Sequence, residues 1–97
     1  MAVLVTGGSG FIGRNVIKHF IQRHWDVINV SRTHVEIQGL KDQVAADLAK
    51  ENFVEKIQKN VPPCEYIIHC AASIDYNFYN PQVSAVNCLG FHKILQL

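Results

Sequence analysis

Residues 5–13 read VTGGSGFIG, with four glycines in seven positions between an apolar run and an amphipathic stretch. The run AVLVT (2–6) is β-rich, and from Gly10 to about His24 apolar residues recur with helical spacing. Ile12, Val16 and Phe20 share one stripe of that pattern, with Ile17 and Ile21 beside it. A strand that ends in glycines and turns directly into a helix leaves backbone N–H groups free at the helix N-terminus, where the macrodipole adds positive potential. Such a turn suits an anion of the pyrophosphate kind. A tight turn that met no ligand would not need so many glycines. Two registers are open, Gly8-x-Gly10-x-x-Gly13 and Gly7-x-x-Gly10-x-x-Gly13, the second preceded by Thr6.

The rest of the chain repeats the alternation of strand and helix. DVINVS (26–31) predicts a second strand, QVAAD (43–47) a third and EYIIHCAA (65–72) a fourth, with 32–42 as loop. KENFVEKIQKN (50–60) is an amphipathic helix with Phe53, Val54 and Ile57 inward, stopped by Pro62-Pro63. A last helix is expected over 80–97, with Pro81 in its first turn. Val- and Ile-rich strands alternating with helices imply a parallel sheet covered on both faces. Right-handed crossovers then give an α/β, Rossmann-like, partial doubly wound sheet of order 3-2-1-4.

Composition narrows the partners. With 97 residues, 48% of them apolar, and a formal net charge of +1, the chain has no basic stripe for nucleic acid. Neither a leader nor a membrane segment is expected. Cys64, Cys70 and Cys88 lack CxxC spacing and read as reduced, mostly buried thiols of a cytoplasmic protein. No paired-cysteine or His-x-x-x-His spacing suggests a metal.

The loop TGGSGFIG, with Thr6 before its first glycine, resembles the TGxxGxxG loop of the extended short-chain dehydrogenase/reductases, the epimerase/dehydratase type. ADL (46–48), HCAA (69–72) and VNCLGFHKILQL (86–97) resemble that superfamily's later motifs in order and spacing. The resemblance covers the whole chain as the N-terminal part of a dinucleotide-binding domain, and it selects the Gly7-Gly10-Gly13 register. It implies that Gly7, Gly10, Phe11, Ile12 and Gly13 wrap the pyrophosphate through backbone N–H groups, with Phe11 and Ile12 also packing the helix start. It further implies that Asp47 accepts from the adenine amine with Leu48 against the ring. Cys70, Ala71 and Ala72 would pass under the cofactor. For Asp47 a plain capping role is the alternative. His69 is expected to be structural, and Asn87 to bond the adjacent strand end.

The choice of nicotinamide cofactor turns on the end of the second strand. A carboxylate there takes the ribose hydroxyls of NAD. Asp26 is a decoy at the strand's start. The far end reads Ser31-Arg32, which can donate to and pair with a 2′-phosphate. NADP is therefore expected, with NAD as the alternative and a solvated surface arginine as the plain reading of Arg32.

Catalysis in the resembled superfamily uses Tyr-x-x-x-Lys, which this sequence lacks, so no catalytic residue is assigned. The expected parent transfers hydride to or from an alcohol or carbonyl carbon, of a nucleotide sugar or a steroid-like substrate. A non-catalytic NADP(H)-sensing module is the alternative, and a folded piece without useful affinity a third reading. Where relatives commonly close the first helix with glycine, this chain has RHWDV. His24 or Trp25 must take the turn, and a left-handed cap there would be strained. Trp25 is expected against the sheet edge. The apolar fourth strand, if left open, predicts self-association through its edge or the last helix.

Overall fold

A computed structural model describes residues 1–71, 87 and 90–97. The elements are β1 (Ala2–Thr6), α1 (Phe11–Gln22), β2 (Asp26–Ser31), β3 (Asp42–Ala45), α2 (Phe53–Asn60), β4 (Tyr66–His69) and α3 (Gly90–Ile94). The four strands form one parallel sheet of order β3-β2-β1-β4, as the alternation of elements implies. The β3 strand is shorter than its pattern suggested and starts one residue earlier. The start of the expected last helix, at Pro81, lies outside the described residues.

Successive residues of a strand face opposite sides of a sheet, and the core divides accordingly. Val3, Val5 and Val27 pack with Ile17 of α1 on one face. Leu4 and Val30 turn to the other, where Phe53 and Ile57 of α2 and Ile94 of α3 cover them. Ile17 and Phe53 are essentially fully buried, each contributing about 1.5–3 kcal/mol of transfer free energy. The inward stripe of α1 centres on Ile17 and Gly13. Ile12, expected on that stripe, is instead 68% exposed, and Phe11 is 85% exposed. Neither packs the helix start as expected, since the buried side of α1 is formed by Gly13 and Ile17.

The first helix closes on His24 in the left-handed region, φ 63°. Its N–H donates to the Ile21 carbonyl at 3.0 Å and the Trp25 N–H to the Phe20 carbonyl at 3.1 Å, the paired bonds of a Schellman cap. The accompanying apolar contact is aromatic, with the Phe20 and Trp25 rings 4.9 Å apart. Trp25 also lies 5.6 Å from Tyr66 on β4, the edge strand. Cys64 and Cys70 are free but only half-buried, while Cys88 lies outside the described residues. Among the described residues no helix is long and apolar enough to cross a membrane.

Candidate functional site

The carboxyl ends of β1, β2 and β4 meet at the glycine loop. Gly7 adopts φ 80°, and a Cβ there would lie 2.7 Å from the Ala71 nitrogen. Only glycine allows the loop to press against the end of β4. At Gly13 a Cβ would collide with the Gly7 carbonyl, so the third glycine lets α1 approach the strand. Gly10 differs, since its nearest neighbour would be the Gly7 oxygen at 3.5 Å and its outer side is open.

Gly10 is also the N-cap of α1, with no side-chain cap and no acidic residue in the first turn. The uncapped amide end is suited to an anion. Gly8 plays another part, because its N–H donates to Asn29 Oδ1 at 3.0 Å and so faces inward. That bond commits the Gly8 N–H to Asn29 beneath the loop and away from an anion above it.

Thr6 locks the loop to β4. Its Oγ1 accepts from the Cys70 N–H at 3.1 Å and the Ala71 N–H at 3.2 Å. The hydroxyl proton is thereby left for His69 Nδ1, 2.6 Å away. This assigns the ring N–H to Nε2, and burial holds the imidazole pKa below its ordinary value. His69 is thus a partly buried, hydrogen-bonded imidazole at the end of β4. Burial likewise raises the Cys70 thiol, which stays protonated at neutral pH.

At the end of β2 there is no carboxylate. Arg32 is exposed, whereas Ser31 is 6% exposed, with its hydroxyl donating to the Thr33 carbonyl at 2.5 Å. The Ser31 hydroxyl proton is thus directed to the Thr33 carbonyl. Asp26 stands exposed at the opposite end of the strand, paired with Ala2. Arg14 Nη2 donates to the Glu36 carbonyl at 3.3 Å, joining α1 to the loop after β2.

Beyond β3, Asp47 Oδ1 accepts from the Ala49 N–H at 2.9 Å, a local turn of the capping kind. The Leu48 side chain sits in the core beside Phe53, which turns it away from a ring at the surface. Lys93 Nζ donates to the Leu48 and Lys50 carbonyls, both at 2.8 Å, and pins this turn to α3. Ala72 lies outside the described residues. Asn87 is exposed.

Asn29, Lys93 and Gln43 escaped the sequence reading. Gln43 mimics a strand partner, its side-chain amide bonding both the N–H and the carbonyl of Val35 at 2.9 and 3.0 Å. Of the three only Asn29 carried a signal, as a polar residue among valines and isoleucines.

A parallel sheet of this order, with a glycine turn at the carboxyl end of its first strand, defines a Rossmann-like unit of the short-chain dehydrogenase/reductase kind. The chain belongs to the NAD dependent epimerase/dehydratase family, which it matches over residues 3–97. It is 31% identical over 97 residues to GDP-6-deoxy-D-talose 4-dehydrogenase of Aggregatibacter actinomycetemcomitans, covering 99% of this chain and 30% of that protein. It is 30% identical over 76 residues to the decarboxylating sterol-4-alpha-carboxylate 3-dehydrogenase of Dictyostelium discoideum, covering 77% of this chain and 23% of the relative. Among solved structures, the UDP-glucose 4-epimerase of Thermus thermophilus in complex with NAD superposes with a TM-score of 0.81 at 28% identity. That match covers 99% of this chain and 33% of the enzyme. The chain therefore spans a third or less of these relatives.

Proposed function

We propose that the chain is the NADP-binding portion of an extended short-chain dehydrogenase/reductase. The whole protein would move hydride between the nicotinamide and an alcohol or carbonyl carbon of its substrate. The observation that carries the cofactor choice is the end of β2, where an exposed Arg32 stands and the preceding Ser31 offers no carboxylate. A guanidinium can pair bidentately with a 2′-phosphate, and nothing at this position repels one. Solved relatives hold NAD, so the preference rests on Arg32 itself.

Gly7, Gly10 and Gly13 shape the pyrophosphate cradle in this reading, and the first-turn amides from Phe11 onward supply its donors. Exposed Phe11 and Ile12 flank it as apolar walls, and Cys70 and Ala71 form its floor against Gly7. Asp47 keeps one carboxylate oxygen for the adenine amine, while Leu48 supports it from the core. The bound nicotinamide would supply the hydride, and this chain's residues bind and orient it.

A nucleotide sugar or a steroid-like alcohol fits the substrate class, since one relative is named for a sugar nucleotide and another for a sterol. The free thiols of Cys64 and Cys70 suit a cytoplasmic setting. Parallel titrations with NADPH and NADH test the proposal. Tighter NADPH binding, weakened selectively by Arg32→Ala, is expected. Tighter NADH binding would overturn the cofactor assignment, and binding of neither would overturn the function for this chain.

A further inference from the structure

The glycine loop and the Arg32 turn are joined inside the protein by three consecutive hydrogen bonds. The Gly8 N–H donates to Asn29 Oδ1 at 3.0 Å, Asn29 Nδ2 donates to Ser31 Oγ at 2.9 Å, and Ser31 Oγ donates to the Thr33 carbonyl at 2.5 Å. The direction is fixed at every step. A backbone N–H can only donate, so the amide oxygen of Asn29 faces Gly8 and its NH2 faces Ser31. Ser31 accepts that bond and spends its own proton on Thr33.

Asn29 has no exposed surface, and it sits on the α1 face of β2 in a strand otherwise suited to apolar residues. Burying an amide there is unfavourable unless both ends are bonded, as they are here. A Cβ on Gly8 would run into the Asn29 amide and the Ile17 side chain, so loop and asparagine are fitted to each other. At the far end, the Ser31–Thr33 bond closes a turn that has Arg32 at its apex, pointing the chain outward at that residue.

We propose that Asn29 is a positioning residue for dinucleotide selectivity. From beneath the site it holds the pyrophosphate cradle and the Arg32 turn in a fixed relation, so that one ligand meets both. The proposal rests on Arg32 as the contact to a 2′-phosphate. Asn29 touches no ligand itself, and Ser31 acts through the turn and not through a free hydroxyl.

Adenosine 2′,5′-bisphosphate and 5′-AMP differ only in the 2′-phosphate, and the ratio of their affinities isolates selectivity. Calorimetric titration of the full chain would compare wild type, Asn29→Leu, Arg32→Ala and the double variant. The expected result is a preference of wild type for the bisphosphate that falls at least five-fold in Asn29→Leu. In the Arg32→Ala background the same change should leave the ratio unaltered, the non-additivity of residues acting through one contact. An Asn29→Leu ratio equal to wild type, or a loss that adds fully to Arg32→Ala, would overturn the positioning role and leave the Arg32 reading standing. A wild type indifferent to the 2′-phosphate would instead sink the Arg32 reading, and selectivity through Asn29 with it. If Asn29→Leu does not fold, Ser31→Ala breaks the same chain by removing one hydroxyl. A direct Ser31–phosphate contact would survive as a further loss in the Arg32→Ala background, whereas positioning would not.

Discussion

Replacing Thr6 by valine keeps shape and β-propensity and removes one buried oxygen. In the folded protein that oxygen serves the N–H groups of Cys70 and Ala71 and the Nδ1 of His69. Cys70 keeps a bond, because its N–H also reaches the Thr6 carbonyl at 3.1 Å. The Ala71 N–H and the His69 ring nitrogen lose the partner the hydroxyl gave them. An unmet buried group costs about 1–3 kcal/mol, and partial solvent access at these two puts the sum near the low end, about 2 kcal/mol. With a urea slope of about 1–3 kcal/mol per molar, the midpoint should fall by roughly 0.7–2 M. Thr6→Ser, which keeps the oxygen, should lose less than half as much. The His69 pKa, followed by NMR, should rise in Thr6→Val, since the bond that favoured the neutral ring is gone. A midpoint unchanged from wild type would refute the claim that Thr6 locks the loop to β4.

His24→Gly should raise stability by about 1 kcal/mol, because the left-handed cap position carries a Cβ penalty that glycine lacks, and a thermal melt would register roughly 4–8 °C. Lys93→Met removes the ammonium bridging the Leu48 and Lys50 carbonyls. Faster amide exchange in the 47–50 turn is expected there, with Lys93→Arg restoring part of the protection. Acidification should weaken the fold in two windows. His69, with its folded pKa lowered by burial, contributes stability that is fully present above the ordinary histidine value near 6.5 and is lost as pH falls below it through the folded value. Glu65, lowered chiefly by the Ala2 N–H, loses its contribution as pH falls through its folded value, below the ordinary carboxylate range. Urea midpoints across pH 3–8 would show both steps, and a flat profile would contradict them. Finally, Tyr66 and Ile67 are 52% and 38% exposed on β4, which pairs only with β1 among the described strands. Light scattering should therefore show concentration-dependent self-association through that edge or the last helix, reduced by Ile67→Lys, and a monodisperse monomer would count against it.

Much of the architecture was legible because it rests on local signals. Alternating Val and Ile runs, the glycine turn and the Pro62-Pro63 stop placed the strands and helices in order, and handedness placed them in the sheet. The close approaches at Gly7 and Gly13 were legible for the same reason, since a side chain at either would run into backbone. Other parts required contacts between distant segments. Ile12 fits a helical stripe by spacing, yet it stands exposed in the first turn of α1, as Phe11 does. Leu48 follows an aspartate at the surface, but the path of the chain into α2 turns it to the core. Ser31 looked like a donor because its commitment to Thr33 depends on a turn that no propensity announces. Asn29 links Gly8 to Ser31 and through it to Thr33, a bridge that is not visible in the neighbouring letters.

The fit between Gly8 and Asn29 has a bearing on sequence drift. With the asparagine in place, even one added methyl at position 8 has no room, and without it the Gly8 N–H loses its acceptor. The two sites are thus coupled: an alanine at 8 needs a smaller residue at 29 as well as a shift of the Ile17 side chain, and a lineage that takes that path gives up the internal link to the Arg32 turn. Across an alignment of chains folded this way, residues 8 and 29 should co-vary, with the larger residue at 29 accompanied by glycine at 8.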